Sequence, residues 1–300
     1  MASAKEIQNR IKSVKDTRKI TSAMYMISSS KLKRAKKVLA DTEPYFFALR
    51  SAISRVLRHV PDMEHRYFDS RSRIRPEDRK IGYILVSGDK GLAGAYNHNV
   101  FKMAEERIAG PGSFRLFVLG EVGRQYFAKK QMDVDTDFRY TVQKPTMHRA
   151  RVIAERMIDL YLTGALDEVY IIYTQMVNSV TMEAEVVQLL PLNKVTFNDP
   201  HMVKDMAAVH QDEIQFTPSP EAVIDSIVPN YLSGMIYSCL VESYASEHNS
   251  RMMAMEAATA SADGMLKELS IQYNRVRQAA ITQEITEVIS GAKAQKKRRR

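Results

Sequence analysis

Residues 252–280, MMAMEAATASADGMLKELSIQYNRVRQAA, decide how the rest of the chain is read. Met252, Met255, Thr259, Ala262, Leu266, Leu269, Tyr273, Val276 and Ala280 follow one another in alternating steps of three and four. That is the heptad spacing of a helix that packs along another helix. Its members are small or soft rather than uniformly Leu, so the seam specifies its partner weakly. Between residues 230 and 300 there is no proline and only Gly234, Gly264 and Gly291, and residues 1–43 contain neither proline nor glycine. Breaker-free stretches of this length read as long helices at both ends.

The first helix, expected from about residue 3 to 58 with a bend or break at Pro44, carries Ile7, Ile11 and Val14 and then Ile20, Met24 and Ile27. We read these as two seams separated by one slip of register.

Between the ends the pattern changes. Apolar bursts at Lys80 to Ser87, Phe114 to Leu119, Glu168 to Thr174 and Glu185 to Leu192 alternate with amphipathic stretches at Asn97 to Ile108, Val122 to Lys130 and Thr146 to Leu162. Strands alternating with helices of this length predict βαβ units and a largely parallel sheet. The expected fold class is α/β: a Rossmann-like domain inserted between two long terminal helices that form an antiparallel coiled coil. The boundaries read as 1–58 for the first helix, 75–215 for the α/β domain, 219–291 for the second helix and 292–300 for a basic tail.

At 1.5 Å per residue the two helices would span roughly 80 and 110 Å, so the second outruns the first by roughly 25 Å. The overhang carries Ile281, Ile285, Val288 and Ile289 on one side. A helix standing in water does not hide such a stripe, and another molecule must supply its cover.

Charge agrees with this division. The chain of 300 residues has a formal net charge of +9. The first 41 residues hold eleven basic side chains against Glu6, Asp16 and Asp41, and the tail ends in KKRRR, so the stretch between is net negative. The longest apolar runs, such as Val169 to Tyr173, are far short of the ~20 residues that cross a bilayer. Cys239 is the single cysteine, and the first residues show neither an apolar signal core nor a transit-peptide bias; the expectation is a reducing, cytosolic compartment.

No catalytic centre is visible. Gly88, Gly91 and Gly94 follow a strand and open a helix, but GxxGxxG matches neither dinucleotide nor P-loop spacing, and a tight turn is the reading. Ser87 lacks the preceding glycine of a nucleophile elbow. His98, His148, His201 and His248 show no metal-ligand spacing. No cofactor and no metal are expected. Met24, Met26, Met252, Met253 and Met255 suit either an adaptable binding groove or seam packing.

The opening KEIQNRIKSVKDTRKITSAMYMISSSKLKRA, the segment VSGDKGLAGAYN and the ending RVRQAAITQEITEVISGA, in that order, resemble the gamma subunits of bacterial F-type ATP synthases. The resemblance implies a central rotor shaft whose helices turn inside a ring of three alpha and three beta subunits. The α/β foot then sits with epsilon on the membrane c-ring, at the cytoplasmic face of the plasma membrane, and membrane association is indirect. It places ring contacts on Met24 and its neighbours and on Arg277, Gln278, Thr282, Glu284 and Glu287. It aligns Lys31, Lys33, Arg34, Lys36 and Lys37 with the basic stretch facing the acidic lever of the beta subunits, and makes the loop with Asp89 and Lys90 a foot contact. The alternatives are a basic coiled-coil protein that binds nucleic acid and a nucleotide-dependent α/β enzyme. The first is disfavoured because Tyr25 is the single aromatic among the first 41 residues.

Overall fold

The computed structural model describes residues 4–197 and 215–298, with side chains as far as residue 292. His201 and the side chains of the KKRRR tail therefore lie outside the described residues. Helix α1 spans Ala4–His59 and helix α5 spans Pro220–Arg298. Between them come β1 (Lys80–Val86), α2 (Tyr96–Ile108), β2 (Ser113–Leu119), α3 (Glu121–Lys129), α4 (Met147–Leu162), β3 (Glu168–Met176) and β4 (Met182–Leu190). Contacts divide the chain into two compact units, one of Ser28–Arg251 and one of Met1–Ile27 with Met252–Arg300.

In the larger unit the sheet order is β2-β1-β3-β4. The first three strands are parallel, in the register Ile84 opposite Phe117 and Ile171, and β4 returns antiparallel to β3. Parallel strands carry helices on their faces, so their apolar runs are continuous rather than alternating. Leu85, Val86, Leu116, Phe117, Val118, Phe127, Ile171 and Ile172 are all fully buried. The sheet is thus largely parallel, as the alternation of segments implies. Its fourth strand begins three residues earlier than the apolar run suggests and stops before Pro191, which has no N–H to give a ladder.

Pro44 does not interrupt α1. A proline inside a helix removes one backbone bond and crowds the preceding turn. Packing just beyond it compensates: Phe46 lies so close to α5 that a Cβ on Gly234 would meet its ring at 2.0 Å. Ile53, Ser54, Val56 and Leu57 are buried about two to three turns further on, and the Ser54 hydroxyl donates to the Phe197 carbonyl at 2.6 Å. Cys239, on α5, is buried and unpaired.

In the smaller unit the two helices pack antiparallel. Arg18 pairs with Asp263 at 2.6 Å and the Thr21 and Thr259 hydroxyls share a hydrogen bond of 2.7 Å. On α5, Met255, Ala262 and Leu269 are buried, as the heptad reading expects. The slip of register on α1 is absent. Ile7 and Thr21 are buried in this unit, and Ser28, Leu32 and Ala35 continue the same spacing along the helix into the other, while Ile20 and Ile27 stand 61% and 56% exposed. Apolarity points to Ile20 and Ile27. The small polar Thr21 can take the seam because its hydroxyl has partners in the Arg18 carbonyl of its own helix at 3.0 Å and in the facing Thr259, so burial leaves no orphaned group.

Candidate functional site

In the smaller unit, the pairing of residues 18 and 263 places Ala4 level with about Arg277 along the antiparallel helices. From Arg277 to Ala292 every residue of α5 is exposed. Ile281, Ile285, Val288 and Ile289 lie along one side of this stretch, between 47% and 71% exposed. Contiguous exposed apolar surface of this kind marks an interaction site.

The polar residues singled out from the sequence surround that stripe. Arg277, Gln278, Thr282, Glu284 and Glu287 are exposed and Met24, on α1, is half-buried. The Thr282 hydroxyl donates to the Gln278 carbonyl at 2.9 Å, which leaves its lone pairs outward, and Glu287 accepts from Gln283 at 2.9 Å. Among the described residues the side chains of Arg277 and Glu284 make no hydrogen bond, so both are available to a partner. Thr17 and Thr286 likewise satisfy their hydroxyls on their own helices. The unit therefore offers an apolar stripe with polar donors and acceptors beside it and, among the described residues, holds no cluster of nucleophile, base and acid.

In the larger unit, Lys31 is half-buried and Arg34 exposed. Both line a hollow of about 390 Å³ with Val38, Lys144, Tyr237 and Tyr244. Lys33, Lys36 and Lys37 are exposed beside them. The positive charge of this face is felt inside: the His248 ring is driven down to about 3, first by burial, then by Arg251 and Lys31. It stays neutral, and its Nδ1 accepts from Arg251 at 3.2 Å.

The loop between β1 and α2 carries Asp89 and Lys90. Asp89 is half-buried; it accepts from the Glu121 N–H at 3.2 Å, capping α3, and from the Thr141 hydroxyl. Lys90 projects outward. Gly88 donates its N–H to Asn97 Oδ1 at 2.8 Å. The Ser87 hydroxyl is buried, donating to the Leu119 carbonyl at 2.8 Å and accepting from the Gly123 N–H at 3.1 Å. A phosphate cradle needs free amide donors and a nucleophile needs an accessible oxygen. This turn provides neither at Gly88 or Ser87.

Sequence reading missed Glu247 and Arg251. Their side chains are each under a tenth exposed, 2.6 Å apart, and Arg251 also donates to the carbonyls of Gly91 at 3.0 Å and Lys90 at 3.2 Å. Burial raises the Glu247 carboxyl, with Arg251 acting against it. A Glu and an Arg four apart are an ordinary surface pair on most helices. The one available signal was their place directly after the apolar stretch Met235 to Ala245.

Among the described residues no group of His, Cys, Asp and Glu is arranged to hold a metal, and no helix is long and apolar enough to cross a membrane.

The family described as ATP synthase matches residues 3–295. A protein of Ruminiclostridium cellulolyticum called ATP synthase gamma chain is 43% identical over 291 residues, covering 97% of this chain and 98% of that one. A protein of the same name from Caldanaerobacter subterraneus subsp. tengcongensis is 44% identical over 293 residues, covering 96% and 98%. A sodium ion specific ATP synthase gamma chain from Acetobacterium woodii is 35% identical over 299 residues, covering 96% and 97%. Among solved structures, a chain of the Euglena gracilis mitochondrial ATP synthase matches with a TM-score of 0.56 at 17% identity, over 91% of this chain and 95% of that one. A chain from the central stalk and c-ring of the Tetrahymena thermophila mitochondrial enzyme gives 0.55 at 22% identity, over 80% and 99%. At these identities the solved structures establish the shared fold.

Proposed function

We propose that this chain, which belongs to the ATP synthase gamma-chain family and is a central-stalk rotor subunit of that membrane-associated complex, works as a shaft without catalytic residues of its own. It turns with a membrane c-ring as ions cross and biases ATP synthesis or hydrolysis at sites held by its partners. The observation that carries this reading is the exposed stripe of Ile281, Ile285, Val288 and Ile289 on an uncovered helix. Its cover is a collar of three alpha and three beta subunits.

A lopsided shaft in a pseudo-threefold collar meets each beta subunit differently, so its angle sets which site is open or closed. This is a coupling free energy between distant sites carried by a body with discrete orientations. Arg277, Gln278, Thr282, Glu284, Glu287 and Met24 bear on the collar, and polar groups that find a partner only at some angles define the dwell positions. Lys31 and Arg34, with the lysines beside them, attract mobile carboxylates of the beta subunits within a Debye length of ~8 Å, an attraction that weakens with salt. The α/β domain, 75–215, is the foot, with Asp89 and Lys90 on its contact face, and it sits with epsilon on the ring. The helices 1–58 and 219–291 form the shaft as a coiled coil. The complex lies at the cytoplasmic face of the plasma membrane, and this chain is peripheral. The nucleic-acid-binding alternative finds no support among the relatives.

The test is a deletion of residues 278–300. The α/β unit should still fold while ATP-driven ion pumping by the reconstituted complex falls by at least tenfold; unchanged coupling would remove the role assigned to the tip. The purified chain alone should show no ATPase, and robust turnover without partners would refute the reading.

A further inference from the structure

In an open parallel sheet, the crevice where the strand order reverses, outside the carboxyl ends of the strands, is where such folds take their ligands. Here the chain goes from β1 to β2 on one side and then to β3 on the other, so the crevice lies over the ends of β1 and β3. It is filled by the chain itself. Ser243 of α5 shares a 2.7 Å hydrogen bond with the Tyr96 hydroxyl, and Ser246 donates to the Thr174 carbonyl at 3.1 Å. One turn on, Arg251, oriented by Glu247, holds the Lys90 and Gly91 carbonyls of the loop after β1. From the same turn, Asn249 donates to the Ser179 carbonyl at 2.9 Å and Ser250 donates to Met182 Sδ at 3.0 Å, both on the hairpin after β3. In ligand-binding relatives of this architecture the loop turns N–H groups toward an anion. This loop turns carbonyls toward a guanidinium.

Burial of apolar surface is non-directional and resists separation more than twisting, whereas hydrogen bonds fix orientation. We propose that the turn Glu247–Arg251 is a torque joint: the loop after β1 and the hairpin after β3 grip α5 there as two jaws and lock it against rotation about its own axis, with Glu247, Asn249 and Arg251 as positioning residues. The proposal rests on the rotor reading and adds where the foot delivers its turning force.

The experiment uses the whole complex in membrane vesicles, with ATP hydrolysis and ATP-driven ion pumping measured on the same preparation. The double variant Glu247→Gln/Arg251→Met removes both buried charges without stranding either. Asn249→Ala loosens the other jaw and strands no charge. The joint predicts that hydrolysis stays within twofold while pumping per ATP falls at least fivefold in the double variant and about twofold in Asn249→Ala; Arg251→Lys, which keeps the charge but loses the fork, should fall between. A pumping-to-hydrolysis ratio unchanged in both, or hydrolysis and pumping falling in parallel, overturns the joint. If the double variant fails to assemble, Asn249→Ala decides alone by the same ratio. A wild-type chain that assembles but neither supports pumping nor alters hydrolysis overturns the rotor reading itself, and the joint with it.

Discussion

In the unit of residues 28–251, Phe117, Phe127, Phe138, Ile84 and Ile153 are wholly enclosed. Among the described residues of the unit made by 1–27 and 252–300, the enclosed positions are Ile7, Thr21, Met255, Ala262 and Leu269, one row wide. A layered sheet and helices bury enough apolar surface to specify a single packing, while two helices share only a narrow strip. The difference suits the two tasks. On the rotor reading proposed above, the layered unit keeps its shape under load, and the helix pair offers length and an outward surface that other chains can read.

The sharpest way to break this comparison is a cavity in the foot. Phe117→Ala should cost about 3–5 kcal/mol, read as a shift of the urea midpoint, because fully enclosed aromatic side chains leave space their neighbours cannot fill. A loss below about 1 kcal/mol would mean that this core is no more specific than the seam. Leu269→Ala in the helix pair should cost about 2 kcal/mol, at the low end for such truncations, since the strip can close partway. Hydrogen exchange should quicken around residues 262–276 and not in β1, and quickening in both would show the units to be a single cooperative body. At the seam's polar contact, Thr21→Ala should cost under about 1 kcal/mol, because the Thr259 hydroxyl keeps the Met255 carbonyl as its acceptor at 2.8 Å, and Thr21→Val/Thr259→Val should be nearly neutral. A double variant worse than the single would mean that the pair holds the register.

The smallest effect is electrostatic. The Glu242 carboxyl is raised, first by burial and then by Glu185, with Tyr173 and Cys239 close by. A raised acid means that the folded chain holds the proton more tightly, so this group favours folding at low pH and loses that contribution as pH climbs from the usual carboxylate range through the raised value. Glu242→Gln should therefore raise the melting temperature at pH 8, with a gain that shrinks toward pH 4. An equal gain at both would remove the charge as its cause.

Much of this was readable from residues alone, and the exceptions have reasons. The strands and helices of the foot lie within a few residues of their apolar runs, because a sheet buried on both faces writes itself as continuous Val, Ile and Leu. The seam on α5 was legible for the same reason. The seam on α1 was misread at Ile20 and Ile27, because pattern reading follows apolarity and the buried place went to Thr21. Pro44 predicted a bend or a break, and packing of Phe46 against Gly234 carries the helix through without a break. Of the site, the tip's stripe follows directly from spacing. The grip of Arg251 on the loop after β1 does not, since its place after the apolar stretch Met235 to Ala245 hints at burial but says nothing of which loop it holds.

The enclosure of Cys239 has a practical consequence. Burial pushes its thiol upward, with Glu242 and Glu185 adding to the shift, so at neutral pH it offers almost no thiolate to an alkylating reagent. A cysteine introduced at an exposed site away from the tip, such as Lys129, would then be the sole reactive sulfur of the chain, and a fluorophore or bead tether could be attached there without first editing out the native residue.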